Sequence, residues 1–346
     1  MILYVCRYSK TMSSARYRGY GWADRLRTRG HSVKVIYVQR GYQRDHFFNK
    51  LKKALFLLRL MALLARAKVV VFQKYAPPVF LLKFLRKKRV VFDFDDRIYD
   101  MQLLLDRMSR IRSILHASDR IVVSVDALKE ELTDHFPYLA SRVAVIPTLI
   151  DLARFSERPP EGRPAAPKSN LVIGWVGSSG GFSYLELIEE VLFKLLHEFR
   201  EKLTFRVVSD RPFLPRRFDF PVQNVRWALE RECEYFSEID LSIMPLDDSE
   251  RARSKAGFKA IQSLAAGLPV VASAIGFNKE IIRHGENGFL AENPAEFYTY
   301  LKRLATDDPL RRKMGRTARQ SAWKFDYSAW EKLYLEQIFS EEAPDR

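Results

Sequence analysis

The sequence predicts an α/β protein made of two doubly wound parallel-sheet domains, and three observations carry that prediction. Short β-branched and aromatic runs alternate with amphipathic helical stretches through both halves of the chain. A Pro-rich, polar stretch at 154–170 (RFSERPPEGRPAAPKSN) separates the two series as a linker would. At 346 residues the chain also exceeds the usual size of one core.

In order, Ile2–Cys6 reads as the first strand, Arg7–Ser14 as a loop, and Ala15–Arg29 as a helix stopped by Gly30. Strands are then expected at Ser32–Val38, Val69–Phe72, Val90–Phe94, Ile121–Val125 and Val143–Ile146. The second series places strands at Leu171–Val176, Thr204–Val208, Val225–Trp227, Leu241–Met244, Val270–Ala272 and Phe289–Leu290. From Pro309 the pattern is helical, and Trp323, Phe325, Tyr327 and Trp330 suit a terminal helix packed across both domains. The expected boundaries are 1–160, 161–325 and a C-terminal helix at 326–346. A cleft between two such domains is a natural ligand site.

Composition narrows the partners. The formal net charge is +16, which asks for an anionic partner or surface. Between His46 and Phe92 there are twelve Lys and Arg and no Asp or Glu. Within that region Leu51–Arg66 is apolar but broken by cations too often for a spanning helix, which wants about 20 mostly apolar residues. It suits a helix lying on an anionic membrane face, or equally a core helix with a basic edge. Nucleic acid is not expected, because the aromatic interleaving of single-strand binders is missing. Cys6 and Cys233 match no metal or CxxC spacing, which points to buried thiols in a reducing compartment. The chain opens on an apolar strand with no leader pattern, so a cytoplasmic location is expected.

Four stretches carry candidate chemistry. In Ser254–Ser273, Lys255, Lys259 and Gln262 fall at i, i+4 and i+7 of a predicted helix, Gly267 suits its C′ position, Pro269 stops it, and Val270–Val271 begin a strand. On spacing alone, an amphipathic helix with solvated lysines explains that pattern as well. The loop after the first strand holds Ser13 and Ser14, with Arg16 and Arg18 following, which suits a phosphate or anionic substrate at a helix start. A Ser cap with surface cations is its plain alternative. The loop Gly174–Gly181 carries four glycines in eight residues, and Gly174, Gly177, Ser178 and Ser179 are its candidate phosphate or sugar contacts.

The fourth stretch, Val91–Arg97, ends a strand in Asp93, Asp95 and Asp96. It resembles both the DxD of metal-dependent sugar transferases and the first motif of haloacid-dehalogenase-type phosphatases. Acceptor contact, capping of the next helix with pairing to Arg97, and Mg²⁺ held by Asp93 and Asp95 are the open readings. Downstream, Asp247 and Asp248 precede Arg251, Arg253 and Lys255, a cationic loop suited to a diphosphate.

Taken together these residues resemble the family-four retaining glycosyltransferases of GT-B architecture, most closely the branch that builds bacterial surface polysaccharides. The resemblance runs from Ile2 to about Phe339. It rests on Pro245–Ser273, Gly276–Leu290, Gly174–Ser178, Val145–Thr148 with Ile150–Asp151, and Phe92–Tyr99. It implies two Rossmann-like domains facing a cleft with a C-terminal crossover helix. It further implies transfer of a sugar from UDP- or GDP-sugar to a glycan or lipid-linked acceptor, with retention, without a metal or other cofactor, and on the cytoplasmic face of the plasma membrane. The anionic membrane would be met through Lys50–Arg89. Lys255, Lys259 and Asp95 would be catalytic. Gly174, Gly177, Ser178, Ser179, Arg253, Ser254 and Gln262 would bind the donor. Ser13, Ser14, Arg16, Arg18 and Asp96 would form the acceptor or phosphate loop. Two glutamates usual in the family are replaced by Ser254 and Gln262. That departure keeps a non-catalytic nucleotide-sugar-binding module open beside the Asp93/Asp95 phosphatase.

Overall fold

Runs such as Ile2–Cys6 (ILYVC) and Val69–Gln73 (VVVFQ) are buried along their whole length. Parallel strands covered by helices on both faces require this. The computed structural model describes residues 1–38, 46–97, 105–155 and 170–339. It divides into two units, Met1–Ile150 with the chain from Tyr327 onward, and Asp151–Asp326.

In the first unit β1 (Ile2–Cys6) is followed by a π-helical turn (Ala15–Tyr20) that runs into α1 (Gly21–Thr28). Then come β2 (Val33–Tyr37), α2 (His46–Arg66), β3 (Val69–Gln73), β4 (Arg89–Phe94), α3 (Leu105–Ala117), β5 (Arg120–Val123), α4 (Asp126–His135) and β6 (Val143–Val145). The sheet order is β2-β1-β3-β4-β5-β6, parallel throughout. Its topological switch point lies between β1 and β3, where open α/β sheets receive ligands at the carboxyl ends of the strands. Helix α2 buries Leu60 and Leu64 and leaves Leu51, Leu55 and Leu58 exposed. None of the described helices is long and apolar enough to cross a membrane.

The C-terminal helix, Tyr327–Phe339, belongs to the first unit. Tyr334 stacks on Trp22 at 3.7 Å between ring centroids, and its hydroxyl lies 2.9 Å from that of Tyr4. At the helix surface Arg29 and Arg25 both donate to Glu331. Arg29's hydrogen bonds, with Arg25's charge behind them, hold the Glu331 carboxyl below its ordinary 4.5 against the cost of burial. A carboxyl lowered in the folded state stabilises above its unfolded value and loses that contribution as pH falls. Glu331→Gln should therefore flatten the acid limb of a Tm-against-pH curve; an unchanged limb would remove this pair from the stability account.

The second unit runs β7 (Leu171–Val176), α5 (Phe182–Glu186), α6 (Glu189–Phe199), β8 (Leu203–Ser209), β9 (Gln223–Arg226), α7 (Glu234–Ser237) and β10 (Leu241–Met244). It continues with α8 (Glu250–Arg253), α9 (Phe258–Ala265), β11 (Val270–Ser273), α10 (Asn278–Ile281), β12 (Gly288–Ala291), α11 (Pro294–Thr306) and α12 (Asp308–Ser321). The parallel order β12-β11-β10-β7-β8-β9 is the Rossmann arrangement, with its switch point between β7 and β10.

Every strand predicted from sequence forms, within a few residues of the expected bounds. Two expectations change. The divide falls after Ile150 rather than at 160, because Leu152 and Phe155 are tied into the second unit. The Leu152 amide donates to Asp326, Arg319 donates to the Leu152 carbonyl, and Phe155 packs on Phe236. Most of the expected linker, 156–169, lies outside the described residues. Second, Lys255 does not share a helix with Lys259. Gly257 stands in the left-handed region (φ 58°) as the N-cap of α9, and a Cβ there would lie 2.2 Å from Ile281 Cδ1. The chain breaks between α8 and α9, so the i, i+4 face does not exist. Gly267 does take the expected C′ position, with φ 68°.

Candidate functional site

Each unit gathers polar groups at its own switch point. In the second, β7 runs directly into the loop 177–181. Lys259, on the first turn of α9, lays its chain across that loop. Its ammonium sits 5.2 Å from the Trp175 ring centroid. A Cβ on Gly177 would fall 2.2 Å from Lys259 Cε, and one on Gly181 would fall 3.9 Å from Lys259 Nζ. Gly177 makes room for the lysine, so loop and helix, 82 residues apart at Gly177 and Lys259, form one cationic feature.

The loop is anchored from β8. The Ser179 amide donates to Asp210 Oδ1 at 2.7 Å and its hydroxyl to Oδ2 at 2.9 Å. Burial pushes the Asp210 carboxyl up, but the Ser179 and Ser209 hydrogen bonds outweigh it and hold the group below its ordinary range. Ser178 is exposed beside it. Lys255 places its ammonium 5.3 Å from the Tyr184 ring centroid. Arg253 is held bidentately by Asp248 at 2.7 and 2.8 Å. Gln262 is buried and donates to the equally buried Glu232 at 3.1 Å.

Two donor-side expectations are corrected. Gly174 lies inside β7, where a Cβ would meet Ile239 at 2.3 Å; its smallness serves packing, not a ligand. Ser254 is buried and turns its hydroxyl to the Glu250 carbonyl at 3.0 Å, as a helix-end residue does. Asp210, Trp175, Tyr184 and Glu232 were missed in the sequence. Trp175 and Asp210 carry only the signal of a strand end, which many residues share, and Tyr184 and Glu232 carry none.

In the first unit Arg18 and Asp93 form a bidentate pair at 2.8 and 2.9 Å, 2% and 1% exposed, and Arg18 also donates to the Ile146 carbonyl at 2.8 Å. Arg18 is therefore a core cation, not part of a phosphate loop. Both Asp93 oxygens are committed to it, which removes Asp93 as a nucleophile or as half of a Mg²⁺ site with Asp95. Arg16 is buried too, and its Nη1 donates to the carbonyls of Lys10 and Thr11, closing its own loop. Arg97 pairs with Glu131. The segment that would follow as a capped helix, 98–104, lies outside the described residues.

What remains is a chain of contacts around Asp95. Gln73 Nε2 donates to Ser14 Oγ at 2.8 Å, and Ser14 Oγ donates to Asp95 Oδ1 at 2.7 Å. Lys74 Nζ lies 2.6 Å from Asp95 Oδ1 and 2.6 Å from Asp96 Oδ2. Burial works against the Lys74 ammonium, yet Asp95 and Asp96 hold it above the ordinary lysine range. Ser13 stays exposed at the helix start. Among the described residues no group of three or more His, Cys, Asp or Glu could hold a metal.

Comparison with known proteins follows this division. Residues 20–154 match Glycosyltransferase Family 4 and residues 171–307 match Glycosyl transferases group 1. A D-inositol 3-phosphate glycosyltransferase from Streptomyces avermitilis is 26% identical over 244 residues, 62% of this chain and 50% of that protein. The chain thus spans about half the length of the curated relatives it matches. Among solved structures, WaaG, a glycosyltransferase involved in lipopolysaccharide biosynthesis, superposes with a TM-score of 0.69 at 16% identity, over 98% of this chain and 100% of that one. HepE of Anabaena, solved with UDP and glucose, gives 0.67 at 13% identity, over 97% and 98%.

Proposed function

We propose that this chain, whose residues 20–154 match Glycosyltransferase Family 4 and whose residues 171–307 match Glycosyl transferases group 1, is a glycosyltransferase of GT-B architecture. From that premise we propose that it transfers a sugar from a nucleoside-diphosphate sugar to a glycan or lipid-linked acceptor. The second unit holds the donor and the first the acceptor. The observation that carries this is the convergence of Lys259 with the Gly177–Gly181 loop at the β7/β10 switch point. A cation fixed over a glycine-rich turn stabilises the negative charge that builds on a departing diphosphate. Lys255 and Arg253 add positive charge nearby in the chain, and Ser178, Ser179 and Gln262 offer polar contacts. Asp95 takes the acceptor side. UDP or GDP is the nucleotide proposed, in keeping with HepE, which was solved with UDP.

The reaction proposed breaks the bond between C1 and the phosphate oxygen, sends its electrons to the diphosphate, and forms a new bond from an acceptor hydroxyl to C1. The hydroxyl proton leaves with the diphosphate or to solvent. Retention is proposed, with no metal or other cofactor, in cell-surface polysaccharide synthesis on the cytoplasmic face of the plasma membrane. Helix α2 supports the membrane part. Leu51, Leu55 and Leu58 form an exposed apolar row, Lys52 and Arg59 flank it, and a cavity of about 330 Å³ opens beside it against Ile36 and Tyr37. Lys52→Gln with Arg59→Gln should weaken binding to anionic vesicles by about 2 kcal/mol, roughly thirtyfold. Equal co-sedimentation would leave α2 a core helix with a basic edge.

The deciding experiment is a thermal-shift series with UDP, GDP, CDP and ADP, with and without EDTA, followed by turnover with the matching nucleotide sugars and assignment of the product anomer. A metal-independent shift with one nucleotide, and an anomer unchanged from the donor, is the expected result. Binding without turnover would instead favour the non-catalytic module, for which the buried, backbone-bonded Ser254 is the observation. A response to Mg²⁺ alone would remove the donor assignment.

A further inference from the structure

At the donor loop of the second unit, we infer that Trp175 and Tyr184 are positioning residues, whose rings seat Lys259 and Lys255 and set both ammoniums for the terminal phosphate of a nucleoside diphosphate. This rests on the donor reading of that unit and adds two residues that no motif pointed to.

Two seats frame one loop. Trp175 lies one residue before the end of β7, ahead of the loop 177–181, and Tyr184 lies on α5, just after it. The Lys259 ammonium is 5.2 Å from the Trp175 ring centroid, and the Lys255 ammonium is 5.3 Å from that of Tyr184. The rings are 2% and 9% exposed, while both lysines are half-buried. An ammonium within about 6 Å of an aromatic centroid is attracted by the ring quadrupole, more strongly where water is excluded. Burial, with the charge of Asp247 and against that of Arg251, pushes the Tyr184 hydroxyl above its ordinary 10, so the ring beside Lys255 stays a neutral phenol.

The Trp175 ring also shapes the loop. A Cβ on Gly177 would fall 2.9 Å from Trp175 Cζ2, and one on Gly181 would fall 3.1 Å from the same atom. Both ends of the loop therefore bear on one edge of the indole. That edge belongs to the benzo ring, which phenylalanine lacks.

Charge explains why rings are used. Arg253, the neighbouring cation, is paired bidentately with Asp248, and an anion so placed draws on the charge a ligand would use. A ring holds an ammonium by its face and leaves the unit charge on it. Lysine is otherwise a flexible chain with large rotamer freedom, and fixing it beforehand spares that loss on binding. Two seated ammoniums suit a group that carries more than one negative charge. In a nucleoside diphosphate that group is the terminal phosphate, which a monophosphate does not have.

The test uses the full chain with Tyr184→Leu, Tyr184→Phe, Lys255→Ala, the Tyr184→Leu/Lys255→Ala double variant and Trp175→Phe. Calorimetry gives affinities for UDP, UMP, GDP and GMP, with the thermal midpoint of each protein alongside. Tyr184→Leu is expected to weaken diphosphate binding roughly three- to tenfold and to leave monophosphate binding alone. Tyr184→Phe keeps a ring and should restore most of that loss. On the Lys255→Ala background Tyr184→Leu should cost nothing further, because the tyrosine acts through the lysine. Trp175→Phe should weaken diphosphate binding at least as much as Tyr184→Leu, since it disturbs the loop as well as its lysine. The Tyr184 series decides the inference even if the buried Trp175→Phe fails to fold. Wild-type diphosphate affinity in Tyr184→Leu, equal losses for diphosphate and monophosphate, or additive losses in the double variant would overturn it. So would a Tyr184→Phe protein as weak as Tyr184→Leu. A wild type that binds neither UDP nor GDP would instead count against the donor reading, a result independent of Tyr184.

Discussion

Lys259→Ala should weaken nucleoside-diphosphate binding by about 1.5–3 kcal/mol, roughly ten- to hundredfold, the usual cost of removing a charge-assisted contact. Its ammonium lies over Trp175 and beside Gly181, so removal takes positive charge from the turn itself. Gly177→Ala is the companion variant. Its methyl would fall 2.2 Å from Lys259 Cε and 2.8 Å from the Trp175 ring, so the lysine must move although its charge is kept. Both variants should lose affinity, with Gly177→Ala the weaker because a flexible side chain can partly yield. Titration calorimetry with UDP and GDP measures this. Wild-type affinity in both variants would remove Lys259 from the donor site and leave Lys255 and Arg253 as its cations.

Asp93→Leu should destabilise the first unit by about 3–5 kcal/mol, as should Arg18→Met, because each leaves its buried partner uncompensated. The pair is nearly inaccessible to water, and Arg18 also ties the sheet to the Ile146 carbonyl. The double variant Arg18→Met/Asp93→Leu should recover much of either loss, since an apolar pair of similar size carries no desolvation cost. Urea midpoints for the four proteins make the cycle. If either single variant were as stable as the wild type, the pair would not be structural and Asp93 would return as a site candidate.

Helix periodicity and apolar runs are local signals, which is why the strands of both sheets, the loop after β7 and the C′ glycine at Gly267 were legible in the chain. Lys255 shows where local reading stops. Its spacing to Lys259 is right for one helix face, but Gly257 takes a left-handed φ at a place where Ile281 leaves no room for a Cβ, which no spacing reveals. Arg18 shows the same in charge. As letters, an arginine after a serine-rich loop reads as a phosphate cation. Only the sheet order brings Asp93, 75 residues away, against it and converts it to core.

The sequence by itself determined two parallel α/β series, a glycine-rich turn after the first strand of the second, and lysines near its fifth strand. Those follow from residue size, branching and backbone freedom, which act over a few positions. Tertiary structure alone decided which lysine reaches that turn and which carboxylates are spent on buried arginine. It also decided that Gln73 and Lys74 stand with Asp95 at a switch point. Burial and ion pairing depend on neighbours contributed by distant strands, and those neighbours exist only once the sheets have formed.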